Sequence, residues 1–381
     1  MPQKAFEVTI EPSVLIWARE SIGMDINEVA EKMKDIPATA IKNWEEGVKN
    51  PPITLHYIEK LAFIYKRPVS AFLLPAPPSE PSFPADFRTH QAEEKPLNSK
   101  TYLAIRKARR FQYSAIELAK ELNESIKGLP LTINLQDDPE KVAAEARKQL
   151  GIDFEKIKID SFEDTLERYI KIFEKNDILV FQISFPKNKE IRGFSLADEK
   201  IPVIVLRKSD ETSARIFTLF HELAHILLKE GGICDLIEKG ASQSIEKFSN
   251  HFAGAFLVPK NELLNYNLVK GHKEKEWPED TLKTIAQIFQ VSKEVILRRL
   301  LILNLTTKEY YDKMHEEWKS KYKERFGRGG KNPIKICIQE RGKKYISMVF
   351  NAYEQHKINN INVADYLGVK IDKISKVKEA I

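Results

Sequence analysis

Five prolines within ten residues, Pro75, Pro77, Pro78, Pro81 and Pro84, set the first limit on how this chain can fold. Each fixes its own φ and lacks a backbone N–H, so neither a helix nor a sheet ladder runs through the segment, and an extended stretch is expected instead. The 381 residues therefore divide. A first module is expected over residues 1–75, a proline-rich linker over 76–98, and further modules beyond.

Composition keeps both parts globular: 42% of residues are hydrophobic and 30% charged, values of soluble folded proteins. No stretch approaches the roughly 20 apolar residues a membrane helix needs, and the opening MPQKAFEVTIEPSV lacks a basic head followed by an apolar run. A cytoplasmic protein with no membrane contact is expected. Cys234 and Cys337 are far apart, which excludes a disulfide scaffold and a cysteine-based zinc module. The net charge of +6 sits in one place. Residues 306–345 carry 12 basic and 6 acidic groups, whereas residues 1–75 carry 9 and 10. The basic segment is read as a solvated surface, with contact to nucleic acid or an acidic partner as the alternative.

Within residues 1–75, apolar side chains recur at helical spacing and Gly23, Pro37, Gly47, Pro51 and Pro52 punctuate them, which predicts a bundle of short helices. Beyond the linker the pattern predicts a long amphipathic helix over 99–127, a helix over 138–150 opened by Asp138-Pro139, and a third starting at Ser161. The period then changes. DILVFQISF (177–185), RGFSLA (192–197) and PVIVLR (202–207) read as a small sheet. Helices follow over 211–229 and about 243–257, then two over 281–303 separated at Ser292, a plausible cap. Residues 345–372 repeat that last outline without repeating its sequence.

The chemistry is concentrated in Phe217-Thr-Leu-Phe-His-Glu-Leu-Ala-His-Ile-Leu-Leu228. Residues four apart share a helix face, so His221 and His225 can present imidazole nitrogens to one metal ion. Glu222 lies one step round, able to face the water such an ion activates. The competing reading is a pair of buried histidines satisfied by backbone oxygens. A catalytic zinc site needs a third protein ligand, and Glu246, on the next predicted helix, supplies an anionic oxygen; Asn250 shares its face and suits a supporting role. His251 is the rival donor, but it sits more than about 100° from Glu246 round the helix.

The run RGFSL, PVIVL, ARIFTLFHELAHILL and EKFSNHFAGAFLVP resembles the ImmA/IrrE zinc peptidase family over roughly residues 138–300. The resemblance implies that His221, His225 and Glu246 hold zinc and that Glu222 is the catalytic base, with Asn250, Phe252 and Ala253 completing the second motif. Ser249 stands where that family more often has alanine. The amino-terminal segment INEVAEKMKDIPATAIKNWEEGVKNP resembles the Xre-type, lambda-repressor-like helix-turn-helix family. That resemblance places its third helix in the DNA major groove, with Thr39, Lys42 and Asn43 outward and Ile41 and Trp44 inward. The near-neutral charge of the module argues against strong DNA affinity, and use of the fold for protein contacts is the alternative.

The expected fold is mainly α with a small β-sheet (α+β): an Xre-type bundle, a zincin-like metallopeptidase domain over 99–280, a helix-turn-helix-like helical pair over 281–305 and a basic, helical region over 306–381. The function these resemblances imply is a zinc-dependent regulatory endopeptidase fused to a DNA-binding module. Its partners would be a repressor or other regulatory protein as substrate, and DNA through the first domain, with a homodimer as an open option. The rival is a transcriptional regulator or antitoxin-like protein that uses the peptidase fold for sensing or binding without hydrolysis.

Overall fold

The computed structural model describes residues 6–80, 98–152, 161–186, 191–197, 199–230, 241–321 and 332–381. Most of the expected linker, Cys234 and the centre of the basic segment lie outside these residues. The described residues are mainly helical with one small sheet. They form two compact units, residues 6–80 with 98–107, and the residues from 108 onward.

The first unit holds α1 (Pro12–Glu20), α2 (Ile26–Met33), α3 (Ala38–Glu45) and α4 (Leu55–Tyr65). Asp25 caps α2 by accepting the Glu28 N–H while the Glu28 side chain accepts the Asp25 N–H, a reciprocal capping box. Ile41 and Trp44 face the core, and the Trp44 indole donates to Pro51 O at 2.7 Å. Arg19 clamps Glu45 through two bonds of 2.7 and 3.0 Å, tying α1 to α3.

α5 (Ser99–Glu121) is shorter than the pattern predicts. The Leu122 N–H still reaches Leu118 O at 2.9 Å, but Asn123 then adopts the left-handed region at φ 53° and the Glu124 N–H turns back to Ala119 O at 2.9 Å, so the helix does not continue toward residue 127. α6 (Pro139–Gln149) and α7 (Phe162–Lys175) start at Asp138 and Ser161, whose side chains accept the N–H of Glu140 and Asp164. Strands β1 (Leu179–Ile183), β2 (Gly193–Leu196) and β3 (Val203–Arg207) pair in the order β1-β3-β2, with β1 parallel and β2 antiparallel to β3.

α8 (Thr212–Glu230), α9 (Ala241–Leu257), α10 (Lys260–Asn265), α11 (Asn267–Lys270), α12 (Glu279–Ile288), α13 (Lys293–Ile302) and α14 (Lys308–Lys321) follow. The chain closes with α15 (Pro333–Arg341), α16 (Lys343–Glu354), α17 (Asn360–Leu367) and α18 (Ile374–Lys378). Ser292 caps α13 by accepting the Val295 N–H.

Both sheet faces are buried, which is why the strands read as continuous apolar runs rather than alternating ones. Val180, Ile204 and Leu206 join the core built with α7, α8 and α9. On the other face Phe181 meets Phe111 of α5 at 5.4 Å between centroids and Tyr345 of α16 at 6.2 Å. The carboxyl-terminal helices therefore complete the sheet's core. Part of the basic segment serves this join, since Lys343 and Lys344 pair with Glu167 and Asp177.

Glu174, at the end of α7, is buried against the start of α16. Its Oε2 accepts the Lys344 N–H at 3.2 Å, and its Oε1 fills the space where a side chain at Gly342 would begin. Burial pushes the carboxyl up to about 7, against the lowering effect of the Lys344 N–H and the charges of Lys344 and Lys343. A carboxyl raised on folding stabilises the fold below its ordinary pKa and loses that contribution as pH rises through 7. Glu174→Gln, which stays neutral, is expected to exceed wild type in stability by about 3 kcal/mol at pH 8 and to come close to it near pH 4.5, as read by denaturant unfolding.

Candidate metal centre

His221 and His225 stand one turn apart on α8, with Nε2 atoms 3.1 Å from each other. From α9, Glu246 brings Oε2 to 3.4 Å from His221 Nε2 and Oε1 to 3.3 Å from His225 Nε2. One donor atom from each of the three residues lies within 4.8 Å of the others. Donors bonded tetrahedrally to an ion at roughly 2.0–2.1 Å would be spaced about 3.3 Å apart. The set of two imidazoles and a carboxylate thus fits a small transition-metal ion in both chemistry and spacing. Burial acts to raise the Glu246 carboxyl, but the hydrogen bonds and charges of His221 and His225 outweigh it and hold the group well below the usual carboxylate range.

Two helices must meet for these donors to converge. Phe220 of α8 stacks on Phe256 of α9 with centroids 4.1 Å apart, and Phe252 is buried beside it. α9 is anchored in turn by Glu140 of α6. That carboxylate accepts the Arg299 guanidinium at 2.5 and 3.0 Å and contacts His251 Nε2 at 2.9 Å, while Arg299 Nε donates to Val258 O at 3.0 Å. Burial acts to raise Glu140, yet His251 and Arg299 prevail and hold it at about 2. His251, the rival donor in the sequence, is therefore engaged with Glu140 rather than with the histidine pair.

Glu222 is buried beside the pair and lines the same cleft, as does Asn250, one turn beyond Glu246 on α9. The cleft has a volume of about 680 Å³ and is lined also by Arg192 and by Gly193, the first residue of β2. Local spacing does not single out Gly193. A Cβ there would lie 2.5 Å from Thr218 Cγ2, 2.7 Å from Val205 O and 3.6 Å from Glu222 Oε1. The absent side chain is what lets α8 close on β2 and sets Glu222 beside the strand.

The groove-facing residues expected in the first unit are less uniform. Thr39 and Lys42 are exposed on α3, but Asn43 is half-buried and donates its amide to Asn50 O at 3.0 Å, so its side chain serves the turn that follows the helix.

Gly193→Ala is expected to destabilise the protein by about 1–3 kcal/mol through overpacking. Adding Thr218→Ser removes the nearer obstacle and should restore part of that loss, measured by thermal unfolding of the single and double variants. An unchanged midpoint in Gly193→Ala would show that α8 does not depend on the missing side chain.

Residues 173–301 match the Peptidase_M78 family, described as an IrrE N-terminal-like domain. No curated protein and no solved structure matches the chain significantly. The matched residues take in the sheet, α8 and α9, and with them His221, Glu222, His225 and Glu246. This part of the chain is a metallopeptidase-like domain, in keeping with the ImmA/IrrE resemblance of its motifs.

Proposed function

We propose that the chain is a zinc-dependent endopeptidase that cleaves a repressor or other regulatory protein and carries a DNA-binding module at its amino terminus. The observation that carries this reading is the convergence of His221, His225 and Glu246 beside a buried Glu222, in a cleft lined also by Gly193 at the start of β2.

A zinc ion held by the three donors would supply Lewis acidity toward a scissile carbonyl and toward the attacking water. The remaining steps belong to the chain. Glu222 accepts a proton from the water on its carboxylate and passes it to the leaving amide nitrogen. Burial keeps bulk water from competing for that proton. β2 stands at the edge of the three-stranded order β1-β3-β2. Arg192 O accepts the Arg207 N–H, so the antiparallel alternation turns the N–H and C=O of Gly193 away from β3, toward an added strand. An extended substrate can pair there by strand addition and lie along the cleft.

The amino-terminal module supports a DNA role through the order α2, turn, α3, and through Thr39 and Lys42 exposed on α3. Its near-neutral charge predicts modest, salt-sensitive affinity.

Two carboxylates with different tasks give the test. Glu246→Ala is expected to abolish stoichiometric zinc. Glu222→Gln should keep zinc and fold yet lose about 100-fold or more of its cleavage of co-encoded regulators, because an amide cannot take the proton. If Glu222→Gln supports the biological output while Glu246→Ala does not, the metal is structural or sensory and the protein is a regulator without hydrolysis. For the first unit, Lys42→Glu in the full chain is expected to weaken binding to its own promoter DNA about tenfold or more, as phosphate attraction turns to repulsion. Equal affinity in a gel-shift titration would assign the module to protein contacts.

A further inference from the structure

The cleft does not end at the three donors. Lys293, Val295 and Arg298 of α13 line it, and so does Trp318 of α14. α14 begins at Lys308, beyond residue 301 where the family match stops, so this wall is completed by a segment the family resemblance does not cover.

The charges of this wall are already compensated. Lys293 pairs with Glu279, and Arg298 lies 3.5 Å from Glu294 and donates to the Tyr311 hydroxyl at 2.8 Å. A charged substrate group would give up water without finding an unbalanced opposite charge here. The half-buried indole of Trp318, with the Lys293 ammonium 4.7 Å from its ring centroid, supplies broad apolar surface beside Val295. Phe217 extends that surface toward the donors. It sits one turn before His221 on α8, with ring centroids 6.4 Å apart, and lines the same cleft.

We propose that Trp318 is a specificity-determining residue: with Val295 and Phe217 it receives a large apolar side chain of the peptide held at the metal centre. The proposal rests on the peptidase reading above. A small side chain would leave the indole and Val295 facing water, whereas a leucine- or phenylalanine-sized one covers them and gains in proportion to the apolar area removed from solvent. A cleft of about 680 Å³ has room for such a side chain together with a short stretch of its backbone.

Peptide hydroxamates separate the two layers of the argument, because the hydroxamate group chelates the metal while the adjoining side chain probes the wall. With the zinc-loaded full-length protein, hydroxamates carrying Leu or Phe side chains are expected to bind roughly tenfold or more tightly than the Ala analogue in calorimetry. Trp318→Ala should collapse that ratio while leaving zinc content and Ala-hydroxamate affinity unchanged, and Trp318→Phe should keep most of it. Val295→Ala should narrow the ratio and provides a second variant should Trp318→Ala fail to fold. Equal affinities for the three probes in wild type, or a ratio unaffected in both Trp318→Ala and Val295→Ala, would overturn the subsite and leave the metal centre standing. Zinc-loaded protein that binds none of the hydroxamates would overturn the peptidase reading and the subsite with it.

Discussion

The stack of Phe220 on Phe256 sets the relation of α8 to α9, and everything chemical in this protein depends on that relation. His221 and His225 come from one helix and Glu246 from the other, so a shift of one helix by a fraction of a turn would separate donors now 3.3–3.4 Å apart. Close-packed aromatic cores resist such shifts because their contacts have few alternative arrangements. Glu140 adds a polar lock on the same helix pair: a carboxylate held by Arg299 and His251 binds α6, α9 and α13 into one frame. Arg299 is the buried member of this cluster, and removing Glu140 is strongly destabilising because that buried charge is left uncompensated.

α8 is fixed from its other side by the sheet. Gly193 permits the helix to approach β2 until Thr218 fills the space a side chain would take. The same approach brings Glu222 Oε1 to 3.6 Å from where a side chain at Gly193 would begin. One glycine thus links the sheet, the candidate base and the line along which a substrate strand would lie. The cleft continues from there to α13 and α14, so the carboxyl-terminal helices shape it as well as covering the sheet.

The sequence disclosed what depends on local spacing. The helical pair His221 and His225, the three strand runs, and the starts at Ser161 and Ser292 all follow from neighbours within a few residues. The motif and helix face of Glu246 are also local features. What stayed hidden depends on distant contacts. His251 carries the same donor atoms whether it meets a metal or Glu140, a partner 111 positions away. Gly193 looked like a strand residue because nothing in its neighbours reports the helix above it. Trp318 offered no pattern at all, since its place in the cleft follows from how α14 packs. Asn43 lies on the face expected to point outward, yet the turn at Asn50 takes up its amide. α5 ended early because Asn123 takes up a left-handed conformation that helical periodicity cannot register.

X-ray absorption at the zinc edge of the purified, zinc-loaded protein tests the central claim most directly. The account predicts a first shell of nitrogen and oxygen at roughly 2.0–2.1 Å with the outer-shell scattering of two imidazoles. It also predicts loss of that pattern in His221→Ala. A sulfur shell at about 2.3 Å, or a two-imidazole signal that survives unchanged in His221→Ala, would contradict it.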